Sequence, residues 1–88
     1  MKVEFARTFT QDLKRIRDTT VLKRVQEVID RVERLSSPTE IPNLKKLRGL
    51  GNYSRIRVGD YRIGIALKDE RVIFVRFLNR KDMYKYFP

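Results

Sequence analysis

The stretch Tyr53-Ser-Arg-Ile-Arg-Val-Gly-Asp-Tyr-Arg-Ile-Gly-Ile-Ala-Leu67 holds two runs in which apolar and polar residues alternate with a period of two, the mark of half-buried β-strands. Between the runs stands Gly59-Asp60, a Gly-X pair suited to a two-residue hairpin loop. With those two residues as the loop, Val58 faces Tyr61, Arg57 faces Arg62, Ile56 faces Ile63, Arg55 faces Gly64, Ser54 faces Ile65 and Tyr53 faces Ala66. One side of the hairpin then carries Ile56, Val58, Tyr61, Ile63 and Ile65. The other carries Arg55, Arg57 and Arg62 beside the small residues Gly64 and Ala66. Like charges directly opposite each other destabilise a sheet, so a chain that sets Arg57 against Arg62 either forgoes stability or holds something anionic on that side.

Working outward, Arg71-Val-Ile-Phe-Val-Arg-Phe-Leu78 is a further strand, apolar enough to be central, and it is expected to neighbour both the hairpin and an N-terminal strand. Its register has two solutions. A two-residue turn at Asp69-Glu70 puts Arg76 on the core side with Ile63. A three-residue turn puts Ile73, Val75 and Phe77 in the core and Arg76 beside Gly64 and Arg62. An unpaired buried arginine is strongly unfavourable, which favours the second. The N-terminal strand is Lys2-Val-Glu-Phe-Ala6, with Val3 and Phe5 inward. Thr8 with Gln11 has capping-box spacing, and Phe9, Leu13 and Ile16 predict a short helix over about Thr10 to Asp18. Thr19 or Thr20 is expected to cap a second helix, in which Val21, Leu22, Val25, Val28, Ile29, Val32 and Leu35 make one apolar stripe, ended by Ser36-Ser-Pro38. A loop from Thr39 to Asn43 leads to Leu44-Lys-Lys-Leu-Arg-Gly49, where Leu44 and Leu47 anchor Lys45, Lys46 and Arg48. The tail from Asn79 ends in a short helical turn or an extended segment. The expected architecture is α+β: an N-terminal strand, an αα-hairpin, then three antiparallel strands, with two helices packed on one face of a four-stranded twisted sheet. Residues 1–88 form one domain.

Composition removes much chemistry. The 88 residues include no cysteine and no histidine, which takes away disulfides, thiolate metal sites, the usual general base and every Ser-His or Cys-His nucleophile. No metal or cofactor motif is present, and none is expected. No apolar run approaches a membrane span, and Met1-Lys-Val-Glu-Phe-Ala-Arg7 is too polar for a signal peptide, so the expected location is the cytoplasm. Twenty-one Lys and Arg stand against 11 Asp and Glu, a formal charge of +10, which points to a polyanionic partner. The mixed charges at Lys14, Arg15, Lys23 and Arg24 read as a solvated helix surface. On the far face of the sheet, Arg55, Arg57, Arg62, Arg76, Arg80 and Lys81 gather near Tyr53, Tyr84 and Tyr86. Forked guanidinium groups bind phosphate and aromatic rings stack on unpaired bases, a combination suited to single-stranded RNA.

Lys46-Leu-Arg-Gly49, Arg55-Ile-Arg57, Gly59-Asp-Tyr-Arg62 and Asn79-Arg-Lys-Asp-Met-Tyr84, in this order and at this length, resemble the RelE/ParE superfamily of bacterial and archaeal toxins. The resemblance covers nearly the whole chain and favours the RelE branch. It implies the toxin component of a type II toxin–antitoxin system: a metal-independent endoribonuclease that cleaves messenger RNA in the ribosomal decoding site and so inhibits translation. A ribose 2′-hydroxyl attacks the adjacent phosphate, leaving a 2′,3′-cyclic phosphate or 3′-phosphate and a 5′-hydroxyl. Carried over by position, Arg62 contacts the scissile phosphate, Arg80 or Lys81 protonates the leaving oxygen, and Tyr84 stacks on the base or orients the 2′-hydroxyl, with Tyr86 as the fallback. Arg57 joins this catalytic set, while Arg55, Arg57, Arg76, Lys45, Lys46, Arg48, Tyr53 and Tyr86 form the RNA-binding set. Arg55 and Arg57 stand where RelE has two lysines. Arginine effectively cannot lose its proton, which leaves Lys81, Tyr84, Lys46 or ribosomal RNA groups as candidate bases. Two other readings compete: a ParE-like DNA gyrase inhibitor, and a non-catalytic basic module that binds RNA or the ribosome. Either toxin reading implies a cognate antitoxin, acidic and partly disordered.

Overall fold

The structure, a computed structural model, describes residues 1–47, 49 and 51–88. In chain order it runs β1 (Lys2–Phe5), α1 (Arg7–Lys14), α2 (Thr19–Arg34), a 3-10 turn (Pro38–Glu40), β2 (Leu44–Lys46), β3 (Tyr53–Val58), β4 (Tyr61–Lys68), β5 (Arg71–Asn79) and α3 (Arg80–Tyr86). The strands form one mixed sheet in the order β1-β5-β4-β3-β2, antiparallel except for the parallel pair β1–β5. The α+β class holds. The sheet has one strand more than expected, because Leu44–Lys46, to which no strand was assigned, pairs with β3, and the tail adds a third helix.

The β3–β4 hairpin has the register read from its sequence, from Val58 against Tyr61 to Tyr53 against Ala66. Gly59 makes the turn at φ +59°, a left-handed conformation that glycine adopts without steric cost. The helix-covered face of the sheet is sealed by Ile56, Val58, Ile63, Ile65, Val72, Phe74 and Phe77, packed against Phe9 of α1, Val25, Ile29 and Val32 of α2, and Ile41. α2 presents the stripe seen in its sequence. Its cap is Asp18, not a threonine: the carboxylate accepts from the backbone N–H of Thr20 at 2.9 Å and of Val21 at 3.4 Å.

α1 starts three residues earlier than expected. Ala6 is its N-cap and has no side-chain cap bond, while the Thr8 hydroxyl donates to the carbonyl of Val75 in β5 instead of closing a capping box. Phe5 remains 47 % exposed, since β1 is an edge strand, although its ring stacks on Phe9 and Phe74.

The last strand combines features of both registers considered. Its turn has two residues, with Lys68 opposite Arg71, yet a bulge beside Gly64/Ile65 shifts the pairing so that Arg76 lies opposite Gly64. The extra residue in a bulge reverses the alternation beyond it. Val72, Phe74 and Phe77 are therefore the buried residues of β5, and Ile73 and Val75 are only half-buried. Beyond the end of β1, α1 covers the edge of β5. The buried Asp12 carboxylate accepts from Arg76 Nε at 2.8 Å, Arg76 Nη2 at 3.1 Å and the Phe77 backbone N–H at 2.9 Å. One side chain thus satisfies both an arginine and a strand N–H that the bulge leaves without a strand partner.

Candidate functional site

The outer face of the sheet holds the cationic cluster. β3 and β4 place Arg57 directly against Arg62 and Arg55 against Gly64, and β2 adds Lys45 against Arg55. Where β5 ends, Asn79 caps α3: its Oδ1 accepts from the Asp82 N–H at 2.9 Å. The Arg80 N–H donates to the Asp60 carbonyl at 2.9 Å, which ties the start of α3 to the hairpin turn. Asp60, Asn79, Arg80, Lys81 and Tyr84 line one groove. Asn43, Leu44, Lys45, Arg55, Arg57 and Arg62 line another beside it.

Arg62 is half-buried, and its Nη1 donates to the carbonyls of Gly59 and Tyr61, each at 2.8 Å. Its pKa is lowered from the ordinary arginine value, first by burial and then by Arg57, Arg55 and Arg80, with Tyr84 pulling the other way. Arg55 lies over the Tyr84 ring, its guanidinium carbon 5.1 Å from the centroid, a cation–π arrangement. Tyr84 is 67 % exposed. Its phenol pKa is lowered, first through hydrogen bonding with Arg55 and then through that cation's charge, with Arg80 and Lys45 adding to the pull and desolvation opposing it. Among the described residues, the ion pairs are Arg71 with Glu4 and Asp69, and Arg76 with Asp12. None involves the cluster, so its charge is available to an incoming anion.

The fold therefore brings together Arg55, Arg57, Arg62, Arg80, Lys81, Tyr84 and Lys45. Other residues singled out in the sequence lie elsewhere or are already engaged. Arg76 is on the outer face but is bound by Asp12, which raises its pKa chiefly through their hydrogen bond, with the charges of Asp12 and Tyr86 adding and burial opposing. Lys46 pairs with Ser54, a helix-face position, and lines a further groove together with Lys45, Arg55 and Tyr84. Tyr53 packs edge-on against Phe87 at 5.5 Å. Tyr86 is exposed, and its charge helps to raise the pKa of Arg76. Arg48 lies outside the described residues.

The space over the small residue Gly64 is taken. A Cβ at Gly64 would lie 2.7 Å from the Phe87 ring, and both Phe87 and Met83 are buried. Sequence reasoning missed this pair. The four-residue spacing of Met83 and Phe87, one helical face, was the available signal. Groups of His, Cys, Asp and Glu able to hold a metal ion are absent among the described residues.

Comparison with known proteins gives concordant results. Residues 3–84 match the family described as the ParE toxin of type II toxin-antitoxin systems, parDE. The chain is 44 % identical over 89 residues to toxin RelE3 of Methanocaldococcus jannaschii, with both chains covered in full. Its structure superposes with a TM-score of 0.81 on a chain of the RelB-RelE antitoxin-toxin complex from Methanococcus jannaschii, at 41 % identity over 97 % of this chain and 99 % of that one. The fold also matches the archaeal RelE-RelB complex from Pyrococcus horikoshii, at 24 % identity and a TM-score of 0.71 over 90 % of this chain and 93 % of that one.

Proposed function

The chain belongs to the RelE/ParE superfamily of type II toxin–antitoxin toxins, and on that premise we propose that it is a metal-independent endoribonuclease that cleaves messenger RNA on the ribosome and so arrests translation. The observation that carries this reading is the unpaired cluster of Arg55, Arg57, Arg62 and Arg80 around Tyr84. Arg62 and Arg57 clamp the scissile phosphate and stabilise the charge that grows on it, which is electrostatic catalysis by cations held in place beforehand. The Tyr84 phenolate takes the proton of the ribose 2′-hydroxyl. The 2′-oxygen forms its bond to phosphorus as the bond to the 5′-oxygen breaks, and Lys81, beside Arg80, gives the leaving oxygen its proton. The products are a 2′,3′-cyclic phosphate and a 5′-hydroxyl. Exchange with solvent then returns Tyr84 and Lys81 to their starting states. Tyr84 suits the base because Arg55 holds its phenol below the ordinary tyrosine range. Arg55 and Arg57 remain charged and act as clamps.

The formal charge of +10 favours tight association with an acidic partner. We assign this role to a cognate antitoxin, in keeping with the RelB-RelE complexes whose toxin chains this structure resembles. No helix of the described residues is long and apolar enough to cross a membrane, and the proposed work is in the cytoplasm, on translating ribosomes.

The test is primer extension on a defined messenger with purified protein, with and without ribosomes. Cuts that need ribosomes and leave 5′-hydroxyl ends are expected. Cuts on free RNA would keep the nuclease and remove the ribosome from the mechanism. The description of the matched family as the ParE toxin favours gyrase inhibition as the second reading. Loss of supercoiling activity, with no RNA cut under either condition, would replace the first reading with that one.

A further inference from the structure

α3 is pinned at both ends, and Tyr84 lies between the pins. At its start, Asn79 caps it and the Arg80 N–H is bonded to Asp60. At its end, Phe87 follows the helix with its N–H bonded to the Met83 carbonyl at 3.1 Å. The Phe87 ring fills the space over Gly64, the one residue of β4 without a side chain, and meets Tyr53 edge-on. Neither Phe87 nor Met83 belongs to the main core beneath the sheet. They make a small apolar seat on the opposite face, directly beside the cationic cluster. A helix of seven residues spans only about 10 Å and is too short to hold its own position in water, so its placement comes from these contacts.

We propose that Phe87, seated on Gly64, is a positioning residue: it fixes the far end of α3 so that Tyr84 stands against the Arg55–Arg57–Arg62 cluster, while Arg80 is held by the pin at the helix start. This rests on the nuclease reading above for its consequence in rate, though not for its consequence in structure. Phe87 touches no reacting atom. Its substitution therefore affects the alignment of Tyr84 while leaving the phosphate-binding arginines of β3 and β4 in place.

The test uses four variants: Phe87→Ala, Phe87→Leu, Gly64→Ala, and the double variant Gly64→Ala/Phe87→Leu. In single-turnover cleavage of ribosome-bound messenger, Phe87→Ala is expected to lower the rate at saturation by about 100-fold, the scale of a 1 Å misplacement, with half-saturation nearly unchanged. Phe87→Leu keeps an apolar side chain on the seat and recovers most of the rate. Gly64→Ala lifts the ring and loses the rate with Phe87 still present, and the double variant, with a shorter side chain over the new methyl, regains it. This reciprocal rescue needs no assumption that Phe87→Ala folds. A normal saturating rate in Phe87→Ala or Gly64→Ala, equal losses in Phe87→Ala and Phe87→Leu, or no recovery in the double variant would overturn the proposal. A second readout needs no substrate. With the Arg55 guanidinium over the Tyr84 ring, an upfield shift of the Arg55 side-chain protons is expected in the NMR spectrum of the wild type and Phe87→Leu but not of Phe87→Ala. Its persistence in Phe87→Ala, or its absence from the wild type, overturns the proposal. Should wild-type protein cut no RNA, the nuclease reading fails and this spectroscopic comparison still decides the role of Phe87.

Discussion

Arg62 sits where the fold gains least from a cation. Its guanidinium is half-buried, its hydrogen-bond partners are two backbone carbonyls, and its neighbours are Arg57, Arg55 and Arg80. The sign of its pKa displacement follows: a basic group lowered in the fold is one whose charged form the fold disfavours, at every pH below the folded value. Arg62→Ala is therefore expected to reduce cleavage by about 100- to 1000-fold, the scale of removing one preorganised electrostatic contact, while the melting temperature stays level or rises. A variant that still cleaves at the wild-type rate would take Arg62 out of the site. Tyr84 gives the pH dependence. Its phenolate is the proposed working form and its pKa lies below the ordinary 10.0, so the rate climbs with pH and levels off earlier than for an unperturbed tyrosine. Arg55→Ala removes the main cause of the lowering and should move the rising limb to higher pH. Tyr84→Phe should abolish the limb, and a pH–rate profile unchanged in Tyr84→Phe would assign the base elsewhere. The same lowering contributes to stability only as pH rises past the folded pKa.

Between residue and fold stands the junction of α1 with β5. Asp12 neutralises Arg76, accepts the Phe77 N–H and holds α1 against the bulge. Asp12→Ala should destabilise the protein by about 3 kcal/mol, toward the low end for breaking a buried pair, because Arg76 is 24 % exposed and can reach water. Urea denaturation measures this, and a midpoint within error of the wild type would show the junction to be dispensable. The same junction marks where sequence reading stops. The hairpin register was legible because Gly59-Asp60 and the two-residue alternation agree. The α2 stripe was legible because seven apolar residues share one period. The bulge was not, because the residue that makes it tolerable, Asp12, lies 65 positions from Phe77 and looks like any exposed acid on a helix. β2 was missed because three residues of alternation are too few to distinguish from a loop. Of the site, the cations and Tyr84 could be read as types with a shared face. That Arg76 was already matched by a carboxylate, and that Phe87 occupied the gap over Gly64, depended on contacts no local pattern records.

At the scale of the whole molecule, charge and topology act separately. If Lys45, Arg55, Arg57, Arg62, Arg80 and Lys81 each engage a phosphate, raising salt from about 50 to 200 mM should weaken RNA or ribosome binding by roughly 10³-fold. Arg57→Gln should flatten that salt dependence, and Lys23→Gln, on the outer surface of α2, should leave it unchanged; equal effects would spread the contact over the whole surface. The topology bears on the order of assembly. β1 lies parallel to β5, with Lys2 opposite Arg71, so this seam closes a loop of most of the chain, whereas β3 and β4 meet across two residues. Loop-closure entropy favours the short closure first. In stopped-flow measurements, Ile63→Val should slow folding, while Val3→Ala should chiefly hasten unfolding; the reverse assignment would mean that the parallel seam nucleates the fold. On that order the strands bearing Arg55, Arg57 and Arg62 pair early, and the cationic face would take shape before the chain has finished closing on itself.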